Sequence, residues 1–377
     1  FADLVRDQIV TRAIANGYPP SVAERVFEIV KSFRGYAFAQ GHALAFAEVS
    51  LRSVSLMQNH PAAYFASLLS AQPAGYYDAK TIANEARSRG VLIHPPDVNR
   101  SRKEFWVEDA FDAESGLVVP QGAVRVGLMQ LAGLSSNTLE RVLERRAEAL
   151  GPGQDDAHAA LLAGTRTFGS LFDFAAKIEP SRDELEALIL CGALDSLHPN
   201  RRAMLWAIED ARDWAKSVGK SGPAPALPLD FREPPLDLSV ADFGEHERAV
   251  HERRLLGMDV DRHLVAFERE RARSKGCLTT SEARRLEAGT KATVVGNPIR
   301  LRFPPTASGK RVVFWDLEDE TGLLNCTAFD DVYQRDGHAI VTSQYVTVVG
   351  VVQDRDEHKA FLVRRVFPYK PVLLEAK

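Results

Sequence analysis

Apolar positions in the first 95 residues recur at helical spacing. Val22, Val26, Ile29, Val30 and Phe33 form one stripe behind Ser21 and Glu24, which have the spacing of a capping box. After a break at 34–42, a second helix carries Leu44, Val49, Val54, Leu56 and Met57. Pro61 is placed to open a third, striped by Tyr64, Phe65, Leu68 and Leu69. A short helix near Thr81–Arg89 is expected to stop at Gly90, ahead of a strand at Val91–Ile93. A small β element follows (Phe105–Val107 and Val124–Val126), and the pattern then turns helical as far as residue 215. Gly219, Gly222, Pro223, Pro225, Pro228, Pro234 and Pro235 predict an extended linker. Residues 240–285 return to a charged helical pattern, with Leu255, Leu256, Val260 and Leu264 on one stripe.

From residue 290 the period changes. Ala292–Ile299, Val312–Glu318, Leu324–Phe329, Tyr345–Val352 and Phe361–Phe367 are strand candidates rich in Val and Phe, with Glu320-Thr321-Gly322 as one turn. Five strands in this length suggest a small Greek-key barrel of the OB type. The expected fold class is multidomain α+β, with mainly helical regions followed by a C-terminal five-stranded OB barrel. The domains are expected at 1–95, 96–218, 219–285 and 286–377.

Composition constrains the chemistry. The 377 residues exceed one ordinary core, and 45% hydrophobic with 26% charged residues suits a soluble globular protein. No apolar run is long enough to span a membrane, so none is expected to be a partner. The chain starts at Phe1 inside an apolar, helix-like stretch without a signal pattern, and reads as a piece of a longer polypeptide. Cys191, Cys277 and Cys326 have no paired spacing, which suits a reducing cytoplasm and argues against zinc. The net charge of −4 is awkward for a nucleic-acid binder, so basic residues must be segregated onto one face. Arg141, Arg145 and Arg146, then Arg269, Arg271, Arg273 and Lys275, then Arg300, Arg302, Lys310 and Arg311 permit this. Solvated helix faces account equally for about half of them.

Several catalytic patterns fail. Gly219-Lys220-Ser221 imitates a phosphate loop, but Trp214 stands where the leading glycine is needed. His246 and His251 are five apart, whereas a helical zinc pair needs four. Asp259 and Asp261 have no third acid nearby and read as surface acids. A ligase would need a Lys-x-Asp-Gly loop, and none is present.

Four segments carry binding chemistry. In the 35–42 loop, Tyr36 can stack on a sugar or base and His42 can donate to a phosphate at a helix start, or the aromatics simply anchor the core. Leu131–Ser136 is a glycine-containing turn ahead of a basic helix. It suggests a helix-hairpin-helix whose backbone N–H groups meet a phosphate, with Gly133 central and Thr138 and Arg141 in support; an ordinary helical hairpin is the competing reading. Leu227, Leu229 and Phe231 alternate in the Pro-flanked linker, where they either fill a partner's groove or fold back on their own domain. In the barrel, alternation puts Val313, Trp315 and Leu317 inside. Phe314 is then left outside to stack on a base beside Arg300, Arg302 and Arg311, although Asp316 and Glu318 would share its face. OB barrels also bind proteins, and fold alone does not settle the ligand.

The stretch GYAFAQGHALAFAEVSLRSVSLMQNHPAAYFASLLS at 35–70 resembles the fingers segment of the C-family DNA polymerases, the bacterial DNA polymerase III alpha subunit family. GVLIHPPDVNRS at 90–101, VRVGLMQLAGLSS, LEALILCGALDSL and WDLEDETG match that family in order, and the 71–77 stretch is similar to its error-prone branch. The resemblance implies that 1–95 is the end of the fingers, with Tyr36 and His42 facing the incoming deoxynucleoside triphosphate. It implies a helix-hairpin-helix domain, a clamp-binding linker and an OB domain behind it. Ala37 and Gln40-Gly41 depart from the family pattern, removing one expected positive charge at the nucleotide, and Ser135 replaces a second hairpin glycine. The linker resembles sliding-clamp peptides, with Ala226 where those have Gln. Implied partners are primer-template DNA, the nucleotide, the sliding clamp and other replisome or damage-tolerance proteins. Magnesium would be held by carboxylates outside this chain, leaving the chain by itself inactive. The competing reading is a non-enzymatic OB-containing adaptor.

Overall fold

The computed structural model describes residues 2–32, 40–108, 121–150, 166–219, 233–236, 239–306, 309–355 and 358–371. They fall into two compact units, 1–56 and 57–377. In the first, helices α1 (Ala2–Ala15) and α2 (Pro20–Ser32) pack together, and α3 (Gln40–Asn59) begins. α2 opens at Pro20, so Ser21 lies in its first turn rather than at its cap. Among the described side chains of α2, Ala23 and Phe27 are buried, whereas Val22, Val26 and Ile29 of the expected stripe are exposed.

In the second unit, Pro61 opens α4 (Pro61–Ser70), as its fixed φ favours. Asp78 caps α5 (Ala79–Ser88) by accepting the Thr81 N–H at 2.8 Å. A three-stranded sheet in the order β1-β3-β2 joins β1 (Leu92–His94) and β2 (Trp106–Glu108) to β3 (Ala123–Arg125). A one-turn 3-10 helix (Leu128–Gln130) then leads to α6 (Ser136–Leu150). Beyond it come α7 (Leu171–Ile178), α8 (Arg182–Leu190), α9 (Arg201–Trp206), α10 (Ile208–Gly219) and α11 (Glu245–Leu256). One apolar core, centred on Phe65, Leu69, Val124, Phe174, Leu185 and Ile189, unites them.

The charged region after α11 is broken rather than striped. Gly257 stops the helix at positive φ. As a result Leu256 and Val260 enter the helical core while Leu264, on a 3-10 turn, enters a separate cluster with Tyr345 and Tyr369. Two short helices, α12 (Arg269–Ser274) and α13 (Thr280–Arg284), lead into the barrel.

The barrel is closed, in the order β4-β5-β6-β8-β7. Its strands are β4 (Lys291–Arg302), β5 (Val313–Asp319), β6 (Gly322–Ala328), β7 (Val346–Arg355) and β8 (His358–Pro368), with β6 and β8 parallel. A helix the periodicity did not single out, α14 (Asp330–Thr342), joins β6 to β7. Val313, Trp315 and Leu317 fill the interior as expected. Closure brings backbones very near at Gly296, where a Cβ would lie 2.6 Å from the Glu318 carbonyl oxygen.

One expectation about β5 is corrected. Asp316 and Glu318 do not lie open beside Phe314; both are buried, at 1% and 0% exposure. Residues from α5 and from the segment 263–280 cover that end of the strand, so both of its faces are enclosed.

Candidate nucleic-acid interface

The outer face of β5, β6 and β8, with the ends of β4 and β7, forms a groove of about 800 Å³. Phe314 stands on its wall, paired across the strands with Arg302 and Thr327. Arg355 brings its guanidinium 5.8 Å from the Phe314 ring centroid. His358 and Lys359 line the same side, with Lys359 held 2.5 Å from Asp354. Phe303, 49% exposed, closes the other side and meets Tyr333 of α14 edge-on at 5.6 Å. Arg311 sits against the same tyrosine ring, 5.8 Å from its centroid. Arg302 has no ion pair among the described residues. An open apolar ring flanked by cations suits a base stacked above a phosphate chain.

At the opposite end β5 is sealed by charge pairing. Lys80 Nζ lies 3.0 Å from Glu318 Oε2, and His263 Nε2 is 3.9 Å from the same oxygen. Burial pushes the Glu318 carboxyl up, but His263 and Lys80 more than offset this and hold it at about 2. Asp319 accepts from the Thr280 N–H and hydroxyl, each at 2.7 Å, and from Arg269 at 3.0 Å. Asn84 donates to the Asp319 carbonyl at 2.8 Å. Asp316 forms an ion pair with Arg300 at 2.9 Å and accepts from the Asn325 amide. These acids are neutralised internally and withdrawn from the groove.

The barrel residues singled out from sequence therefore divide. Arg302 and Phe314 meet in the groove, Arg311 stands beside it on Tyr333, and Arg300 is engaged by Asp316 and by the Tyr77 ring at 4.2 Å. Sequence reasoning missed Arg355, His358, Lys359 and Phe303. The signal for three of them was the charged run at 354–359, which looked like loop because β7 and β8 were expected to be shorter at that end.

The hairpin is also changed from expectation. Its first element is the single 3-10 turn at Leu128–Gln130 rather than an α-helix, because Gln130 and Ala132 are drawn into hydrogen bonds with the carbonyls of Leu256 and Leu255. Gly133 takes φ +89, and a Cβ there would meet nothing within 4 Å, so the turn is open. Thr138 is buried; its hydroxyl lies 3.1 Å from both Ser135 Oγ and an Arg141 nitrogen. Glu184 caps its own helix through Ser181 and also accepts the Ser135 N–H at 3.0 Å. Burial pushes this carboxyl up, but hydrogen bonds from Ser135, Ser181 and Thr138 prevail and hold it at about 2. The turn's anion position is thus partly filled by the protein's own acid. A second glycine turn, at Gly192 between α8 and α9, is plugged: a Cβ there would lie 2.2 Å from the Arg201 guanidinium, which pairs with Asp195 and Glu252.

The remaining expectations scatter. His42 is exposed in the first turn of α3, with its ring 4.4 Å from Phe46. Tyr36, Leu227, Leu229 and Phe231 lie outside the described residues. Asp259 is buried and paired with Arg253, correcting its reading as a surface acid. His246 and His251 meet different rings edge-on, Phe267 and Phe243. Among the described residues no three His, Cys, Asp or Glu side chains converge to hold a metal ion, and no helix is long and apolar enough to cross a membrane.

Family models agree with this architecture. A helix-hairpin-helix motif matches residues 90–155 and 151–204, and an OB-fold nucleic acid binding domain matches 292–368. The chain is 37% identical to the error-prone DNA polymerase of Symbiobacterium thermophilum over 94% of its own length and 34% of that protein. It is 30% identical to that of Mycolicibacterium paratuberculosis over 90% of its length and 28% of that protein. The chain therefore spans about a third of the length of the curated relatives it matches. A mitochondrial single-stranded DNA binding protein from S. cerevisiae superimposes at 13% identity on 22% of this chain and 98% of its own, with a TM-score of 0.19.

Proposed function

Because this chain belongs to the C-family DNA polymerases, we propose that it is the carboxy-terminal, DNA-handling portion of an error-prone polymerase. The barrel groove holds single-stranded template, and the open turn at Gly133 with Arg141 grips the duplex behind it. The observation that carries this reading is the groove itself: Phe314 beside Arg302 and Arg355, with every acid of β5 buried away from it. A solvent-facing acid on the same strand would repel the phosphate chain; internal pairing removes that repulsion.

Within the longer polypeptide, Tyr36 and His42 face the incoming nucleotide, and Leu227, Leu229 and Phe231 engage the sliding clamp. Template-directed nucleotidyl transfer needs magnesium. The described residues offer no cluster that fits it, so no step of that chemistry is assigned to them. The chain alone is expected to give no primer extension, and extension by the purified chain would overturn that expectation.

The groove is tested by binding of labelled oligothymidylate across a salt series. Each phosphate neutralised contributes about −0.7 to the log–log slope for a single strand. The double variant R302A/R355A is expected to flatten that slope by one to two such contributions. An unchanged slope removes the assignment.

A further inference from the structure

A second aromatic platform lies beside the groove, on the helical side of the unit. The segment between α4 and α5 ends in Tyr76 and Tyr77, which are 91% and 44% exposed. A tyrosine ring left this open forgoes most of the burial that normally places it. Its position is not arbitrary. Arg300 of β4 lays its guanidinium 4.2 Å from the Tyr77 ring centroid while its other contact holds Asp316 at 2.9 Å. Asp316 follows Phe314 by two residues, about 7 Å along β5. Arg302, two residues beyond Arg300, pairs with Phe314 in the groove.

A register shift between Ile299 and Arg302, with Arg300 at φ 56, lets the two arginines serve different neighbours. Tyr77, Arg300 and Arg302 therefore lead to Phe314, and the exposed Tyr76 adjoins Tyr77 in the chain. Carboxylates beside this run are engaged: Asp316 by Arg300, Asp78 by the N-terminus of α5, and Glu85 by Arg89.

We propose that Tyr76, backed by Tyr77 and Arg300, is a stacking site for single-stranded nucleic acid leaving the barrel groove. The inference rests on the groove reading and extends it onto the helical side. Stacking on an open ring tolerates any base, so the extension adds affinity without sequence preference. The Arg300–Tyr77 pair fixes the segment that carries Tyr76 against the barrel, so the strand meets a surface already in place.

The test uses the whole chain, fluorescence anisotropy, and two oligothymidylates of about four and about twenty nucleotides, which bracket the site of one OB barrel at about 4–16 nucleotides. Tyr76→Ala is expected to weaken the longer strand about five- to tenfold while leaving the shorter one unchanged, and Tyr76→Trp is expected to restore the loss. Because the side chain is in solvent, neither variant should alter thermal unfolding. If Tyr76→Ala has no effect on the longer strand while Phe314→Ala weakens both, the platform is refuted and the groove stands. If Phe314→Ala is also without effect, both fall. Equal weakening of the two strands by Tyr76→Ala overturns the extension as well.

Discussion

Strand β5 ends in two opposite environments. At Phe314 the outer face is open, aromatic and ringed by cations. Farther along, Asp316 is paired with Arg300, and Glu318 and Asp319 are engaged by α5 and the 263–280 segment, so each acid is matched to a base or donor. The same alternating strand supplies a binding surface at one end and a polar joint at the other, and what covers it decides which. The hairpin turns repeat the contrast: Gly192 is filled by Arg201, whereas Gly133 opens outward, with the nearby Ser135 N–H taken by Glu184. Where internal charges meet, the fold gains a fixed arrangement. Where cations remain unmet, it has something to offer an anion.

Breaking the sealed end should cost most. Lys80→Met leaves the Glu318 carboxylate buried without its ammonium, and urea unfolding should show a loss of about 3–5 kcal/mol. The double variant K80M/E318M should recover part of it, because no carboxylate is then buried without its ammonium, while His263 loses the acid beside it. A small effect of the single variant would mean that water reaches the joint. The open end should behave inversely. Phe314→Ala is expected to change unfolding by less than about 1 kcal/mol, since the ring is only partly buried. Single-strand affinity should nevertheless fall by about 1–3 kcal/mol for the base it stacks. A large stability loss with intact binding would reverse the comparison.

The smallest effect is expected at Glu184. Glu184→Gln should destabilise the protein by about 1–2 kcal/mol at neutral pH, because a charged acceptor of several hydrogen bonds becomes neutral. The folded pKa of about 2 lies below the ordinary 4.5, so this stabilisation is complete above pH 4.5 and is lost as pH falls toward 2. The gap between wild type and variant should therefore close over that window, as followed by denaturant titration at stepped pH. A gap that persists at the acid end would show that the carboxylate's charge is not its source.

Local pattern was enough for the five strands, the inside set Val313, Trp315 and Leu317, the proline-opened α4 and the Gly90 stop. Each of these depends on side-chain period or on one residue's backbone preference, which neighbours in sequence express directly. The ordered motifs of the C family were equally legible, and the relatives agree with them. Tertiary structure alone decided that Asp316 and Glu318 are buried, that Arg300 turns to Tyr77, and that Arg355 and Lys359 join Phe314. Several of those outcomes depend on partners distant in sequence, such as Lys80 for Glu318 and Tyr77 for Arg300. Charge carries no periodic mark of its partner, so whether a carboxylate faces solvent or an ammonium is settled only when the chain has folded around it.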